Sequence, residues 1–100
     1  MNYQTHDERG YRVLSVEGDI KTSEARKFEE NLIMALSEGQ KVILDLTQVA
    51  YTCSAGLRAL LAGQQYVDDH EGSDLIIRNI NNEVMSVLKS TGLVNVLNII

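Results

Sequence analysis

The stretch from Val42 to Leu61, VILDLTQVAYTCSAGLRALL, restricts the possible folds more than any other part of the chain. Val42-Ile43-Leu44 reads as a buried strand closed by Asp45. A short polar loop follows, then the small residues Thr52-Cys53-Ser54. After Ala55-Gly56 the spacing of Leu57, Leu60 and Leu61 puts them on one face of a helix running to Tyr66 or Val67. Such a strand–loop–helix unit delivers a hydroxyl to a helix N-terminus. Free N–H groups and the positive end of the helix dipole favour an anion there, such as a phosphate.

The flanking sequence extends this unit into an alternating pattern. Asn2–His6 reads as an edge strand, Asp7-Glu8-Arg9-Gly10 as a polar turn, and Tyr11–Glu17 as a second strand in an antiparallel hairpin. Thr22 or Ser23 is expected to cap a helix to about Ser37, with Ala25, Phe28, Leu32 and Leu36 as its buried stripe and Gly39 as its stop. Val42–Leu46 is continuously apolar, as in a central parallel strand covered on both faces. Asp68–Ser73 is a polar turn and Leu75-Ile76-Ile77 a further strand. Asn81 or Asn82 caps a third helix with Val84, Val87 and Leu88 inside. Gly92 ends that helix, and Leu93 folds back as the apolar contact of a glycine cap. Val94–Ile100 reads as a last strand or an apolar tail. The order β-β-α-β-α-β-α, with or without a final β, predicts an α/β fold. It is a single domain over residues 1–100, a four- to five-stranded mixed sheet with helices packed mainly on one face.

Composition excludes several classes of function. One hundred residues make one small domain, and 44% apolar residues can fill its core. A net charge of −5 argues against nucleic acid and anionic lipid as main partners. No apolar run approaches the roughly 20 residues needed to span a bilayer. The N-terminus lacks a basic flank and an apolar stretch, so no signal peptide is expected. One lone cysteine cannot form an internal disulfide, which suits a reducing cytoplasm.

Ser54 has two readings: a helix N-cap, or an acceptor of a phosphate placed where a helix N-terminus tolerates it. Thr52 is a second hydroxyl, expected to point back along the loop. Asp45 is expected to satisfy loop N–H groups, and Asp19 is expected to be a turn residue. Arg58 is expected to face solvent or a partner. Cys53 reads as a small packed residue, although a helix N-terminus lowers a thiol pKa. His6 and His70 show no ligand spacing, and Asp68-Asp69-His70-Glu71 reads as a solvated turn, so neither metal nor cofactor is expected. Cys53-Ser54-Ala55-Gly56 lacks the leading glycine and histidine partner of a hydrolase elbow. With no phosphate-cradling loop either, an enzyme is not expected.

Asp45-Leu46-Thr47, Tyr51 and Cys53-Ser54-Ala55-Gly56-Leu57 together resemble the STAS domain of anti-sigma-factor antagonists. The family pattern there is Asp-Leu-Ser, an aromatic, then Asp-Ser-Ser-Gly-Leu. Gly18-Asp19 is similar to the family's glycine–acidic turn before its first helix. Cys53 stands where the family has Asp. Ala55 stands where it has the serine that a partner kinase phosphorylates, which leaves Ser54 as the nearest hydroxyl. The Ser54-Ala55-Gly56-Leu57-Arg58 run looks like a subtype. The resemblance implies a cytoplasmic module that docks a kinase-type anti-sigma factor through Asp19, Asp45, Thr52, Cys53, Ser54, Ala55, Gly56 and Arg58. Phosphorylation would make it let go. It also leaves open a STAS subunit of a membrane lipid-transport complex, and the oligomeric state is not implied.

Overall fold

The computed structural model describes residues 1–100. Two strands, β1 (Asn2–Glu8) and β2 (Tyr11–Glu17), form the antiparallel hairpin. Asp7 and Glu8 continue the strand, so the turn is only Arg9-Gly10 and not the four residues expected. Both turn residues take positive φ, 50° and 87°, which a two-residue hairpin needs to match the strand twist. Helix α1 (Thr22–Gly39) leads to β3 (Lys41–Gln48), α2 (Ser54–Asp69), β4 (Asp74–Arg78) and α3 (Asn82–Thr91). The sheet order is β1-β2-β3-β4, with β2, β3 and β4 mutually parallel. A fifth strand is reduced to one bridge, Ile99 beside Ile77, after a short 3₁₀ turn at Leu93–Asn95.

Alternation along each strand decides which side is core. Leu14 and Val16, then Val42, Leu44 and Leu46, then Leu75 and Ile77 point to one face. There they meet Phe28, Leu32, Ala35 and Leu36 of α1, Leu57, Ala59 and Leu60 of α2, and Val84 and Leu88 of α3 in one apolar cluster. Each fully buried large side chain of this set contributes about 1.5–3 kcal/mol. Ala35 joins the expected α1 stripe, while Val87 is only half-buried at the cluster's margin.

The opposite face carries no helix, yet Val13 is 0% exposed and Ile43 9%. Polar side chains bridge this face instead. The Tyr11 hydroxyl donates to Asp74 Oδ2 at 3.0 Å, spanning from β2 over β3 to β4. Arg78 Nε donates to Asp45 Oδ2 at 3.1 Å, and its Nη2 lies 3.2 Å from Glu8 Oε2 on β1. A side chain reaching from β4 to β1 must cross this face, and its aliphatic stem can shield apolar neighbours. The continuous apolar run of β3 therefore fits a strand covered by helices on one side and by a polar lattice on the other.

The helix ends correct three expectations. Lys21, not Thr22 or Ser23, is the N-cap of α1, and it makes no side-chain cap bond. Gln40, not Gly39, takes the positive φ (63°) after α1. Gly39 is needed for closeness: a Cβ there would lie 2.8 Å from Arg12 Cβ. Cys53, not Ser54, is the N-cap of α2. The third helix behaves as read, with Asn81 accepting from the Val84 N–H at 2.8 Å and Gly92 closing it at φ 80°.

Candidate functional site

Because β2 and β3 are parallel, the segments that follow them emerge at the same end of the sheet. The Gly18–Thr22 turn and the Val49–Cys53 loop meet there directly. Ile20 N–H donates to the Tyr51 carbonyl at 2.9 Å, and Cys53 N–H donates to the Ile20 carbonyl at 3.2 Å. This parallel bridge carries the sheet one step beyond its strands and sets where α2 begins.

Gly56 is the steric condition for that junction. A Cβ at Gly56 would collide with the Thr52 hydroxyl and sit 2.9 Å from Ile20 Cγ2. Thr52 is 6% exposed, and its hydroxyl donates to the Cys53 carbonyl at 3.4 Å, forward towards α2 and not back along the loop. Thr52 and Gly56 are thus buried parts of the frame. Asp19, Ser54 and Arg58 are exposed, and Cys53, Ala55 and Asp45 are half-buried.

Ser54 is the first residue of α2 and makes no side-chain hydrogen bond to the protein. The cap position before it is extended (φ −110°, ψ 178°), and the neutral Cys53 thiol makes no capping bond. The Thr22 hydroxyl lies 3.7 Å from Cys53 Sγ. Partial burial opposes ionisation of this thiol. The Gly56 N–H, the Thr22 hydroxyl and the Ala55 N–H outweigh it, so the thiol titrates below its usual value. An N-terminus able to stabilise a thiolate is one whose N–H groups still accept negative charge.

Asp45 anchors the loop from below. Its Oδ1 accepts from the Thr47 N–H at 2.9 Å and from the Thr47 hydroxyl, a local bond that still lies within β3, short of the loop expected from the sequence. Arg78 and Asn79 add donors from the end of β4. Burial raises the Asp45 pKa, but these donors prevail and hold the carboxyl below the ordinary carboxylate range. No group of His, Cys, Asp or Glu side chains is arranged to hold a metal ion.

Sequence reasoning missed Arg78 and Asn79, and it saw Asn81 only as a cap. A signal was available in the two parallel strands. Val42-Ile43-Leu44-Asp45 and Leu75-Ile76-Ile77-Arg78 align apolar to apolar and acid to base, and they pair in that register. Asn79 adopts φ 62°, a left-handed conformation that Asn tolerates better than most residues, and so turns its amide towards Asp45. Beside the site, Ala50, Tyr51, Thr52, Glu83, Val84 and Val87 line a mainly apolar cleft of about 120 Å³, and Tyr51 is exposed.

Comparison with solved structures finds this fold in several proteins. An anti-sigma-factor antagonist from Mycobacterium paratuberculosis superposes with a TM-score of 0.86 at 20% identity, covering 98% of this chain and 83% of its own. The Bacillus cell fate determinant SpoIIAA in its phosphorylated form gives 0.70 at 15% identity, over 99% and 91%. The murine anion transporter Slc26a9 gives 0.77 at 16% identity, over 94% of this chain but only 16% of the transporter. At these identities the likeness is one of fold. A search of curated protein sequences finds no match. The family model of the STAS domain matches residues 2–100, and the chain belongs to that family.

Proposed function

We propose that this STAS domain, residues 1–100, is an anti-sigma-factor antagonist that works by partner switching. In this reading it docks a kinase-type anti-sigma factor when unmodified and releases it when phosphorylated at Ser54. The observation that carries the reading is Ser54 itself, an exposed and unbonded hydroxyl at the first position of a 16-residue helix. A phosphate there adds nearly two negative charges beside free N–H groups, so the domain tolerates it. A partner covering the same surface meets new charge and bulk. SpoIIAA, whose fold this chain shares, is described in both unphosphorylated and phosphorylated forms.

The docking surface in this proposal is the rim made by Asp19, Cys53, Ser54, Ala55 and Arg58. Asp45, Thr52 and Gly56 act from beneath by fixing the loop. The domain has no turnover of its own and works in the cytoplasm; no helix in it is long and apolar enough to cross a membrane. The test is affinity capture from native extract, with identification of the partner and of any phosphate on the bait. Capture of a kinase-type anti-sigma factor is the expected result. Charge reversal at Asp19 or Arg58 should weaken that complex, while reversal at Glu71, in the turn at the opposite end of α2, should not. Loss of binding only on Glu71 reversal would place the partner elsewhere.

A second reading is a STAS unit serving a membrane transport complex, as in a lipid-transport assembly. The similarity to a segment of an anion transporter favours it, as does Ala55 at the position where the family's phosphorylated serine is expected. Capture of a permease and its ATPase, with no phosphate on Ser54, would select this reading.

A further inference from the structure

The loop that presents Ser54 is held from two sides by different kinds of bond. On one side the backbone of Ile20 grips Tyr51 and Cys53. On the other, the Asn81 side-chain amide donates to the Val49 carbonyl at 3.3 Å and to the Ala50 carbonyl at 3.1 Å. Neither of these carbonyls receives a backbone N–H. The same side chain uses its oxygen to accept the Val84 N–H at 2.8 Å. One amide therefore caps α3 with its acceptor and tethers the loop with its donors. The β4–α3 turn also grips the loop's origin, through Arg78 and Asn79 on Asp45.

We infer that Asn81 is a positioning residue for partner docking: its amide N–H groups hold the Val49–Ala50 half of the loop, so that Ser54 and its neighbours sit where a partner meets them. The docking part of this inference rests on the partner-switching reading, whereas the tether does not. An ordinary helix cap needs only an acceptor, which Asp supplies as well as Asn. Asp supplies no donor, and its charge repels the two carbonyls. Asn81→Asp thus keeps the cap and removes the tether, whereas a purely structural role would leave the two variants alike.

The test is amide hydrogen exchange on the full chain, wild type against Asn81→Asp, followed by affinity for the kinase-type protein captured with the wild type. The Val84 amide should stay protected in the variant, because its acceptor is preserved. The Cys53 and Ile20 amides, whose bonds join the loop to the Gly18–Thr22 turn, should exchange at least tenfold faster, and affinity for the captured partner should fall about tenfold. Loop exchange equal to wild type, with Val84 protected, overturns the tether. If Val84 loses protection too, Asn81→Ser, which keeps a cap acceptor but has no amide N–H to reach the two carbonyls, provides the same comparison. Faster loop exchange with unchanged affinity overturns the docking role. If the wild type captures no kinase-type protein, the partner-switching reading falls and exchange alone decides the tether.

Discussion

The helices α2 and α3 start in nearly the same way and finish the job differently. Both N-caps have extended backbones, φ −110° and ψ 178° at Cys53, φ −73° and ψ 168° at Asn81. Both lie at the end of the sheet where the strands finish. Asn81 satisfies the third N–H of its helix and two loop carbonyls besides. Cys53 makes no side-chain cap bond, its Sγ meeting only the Thr22 hydroxyl, and the residue after it presents a free hydroxyl. The difference shows what each terminus can do. A capped start locks a joint of the fold, at a gain of about 1 kcal/mol. An uncapped start forgoes that gain and keeps its N–H groups available for added negative charge.

The comparison can be broken by mutation. The largest effect is expected at Gly56, on which the α2 junction depends. Gly56→Ala forces a methyl into the Thr52 hydroxyl and Ile20, and should destabilise by about 1–3 kcal/mol, read as a fall in denaturant midpoint at constant slope. A neutral result would mean that the junction is looser than its contacts. Asn81→Ala comes next. It removes one cap bond and two tethers, so a loss of about 1–2 kcal/mol is expected. A loss no greater than that of Ser90→Ala, on the exposed face of α3, would deny Asn81 its double role.

Cys53→Ser sharpens the contrast by giving α2 the cap it lacks. Stability should rise by about 0.5–1 kcal/mol, since the backbone already has cap geometry. A decrease would show that the thiol's packing matters more than the missing bond. The smallest effect is on acid sensitivity. Hydrogen bonds from Arg78 hold Glu8 below its usual pKa, and they join those from Thr47 and Asn79 in overcoming burial at Asp45. Both groups bind protons less readily folded than unfolded. Their stabilisation is therefore present above about pH 4 and is lost as pH falls through their lowered folded values. Arg78→Met should show a shallower loss of stability on acidification than the wild type; an identical profile would remove the Arg78 lattice from the account.

Most of the fold was legible because periodicity reports burial. The Ala25-Phe28-Leu32-Leu36 stripe, the apolar β3 and the alternation of elements each follow from which side of a local element is dry. The helix caps were less legible. Propensity favoured Thr22 or Ser23 and Ser54 as caps, but the caps are Lys21 and Cys53, which flank the bridge between Ile20 and Thr52. The open face was invisible for another reason. Val13 is fully buried on a face without a helix, and the lattice across that face joins Arg78 to Glu8, 70 positions apart in the chain, which no local pattern encodes. At the site, Asp45 accepts backbone and hydroxyl donors as a carboxylate near a strand end suggests, whereas the Thr52 hydroxyl turns forward to Cys53. The clamp from Arg78, Asn79 and Asn81 needed the strand register to be seen.

The central claim is that the uncapped start of α2 is a phosphate acceptor through Ser54. Its most direct test is to incubate the chain with its cognate kinase and ATP and to map the phosphate by mass spectrometry. The account predicts a single phosphate on Ser54, absent from Ser54→Ala although that variant still binds the partner. A phosphate on Thr52, or none in the presence of an active kinase, would contradict it.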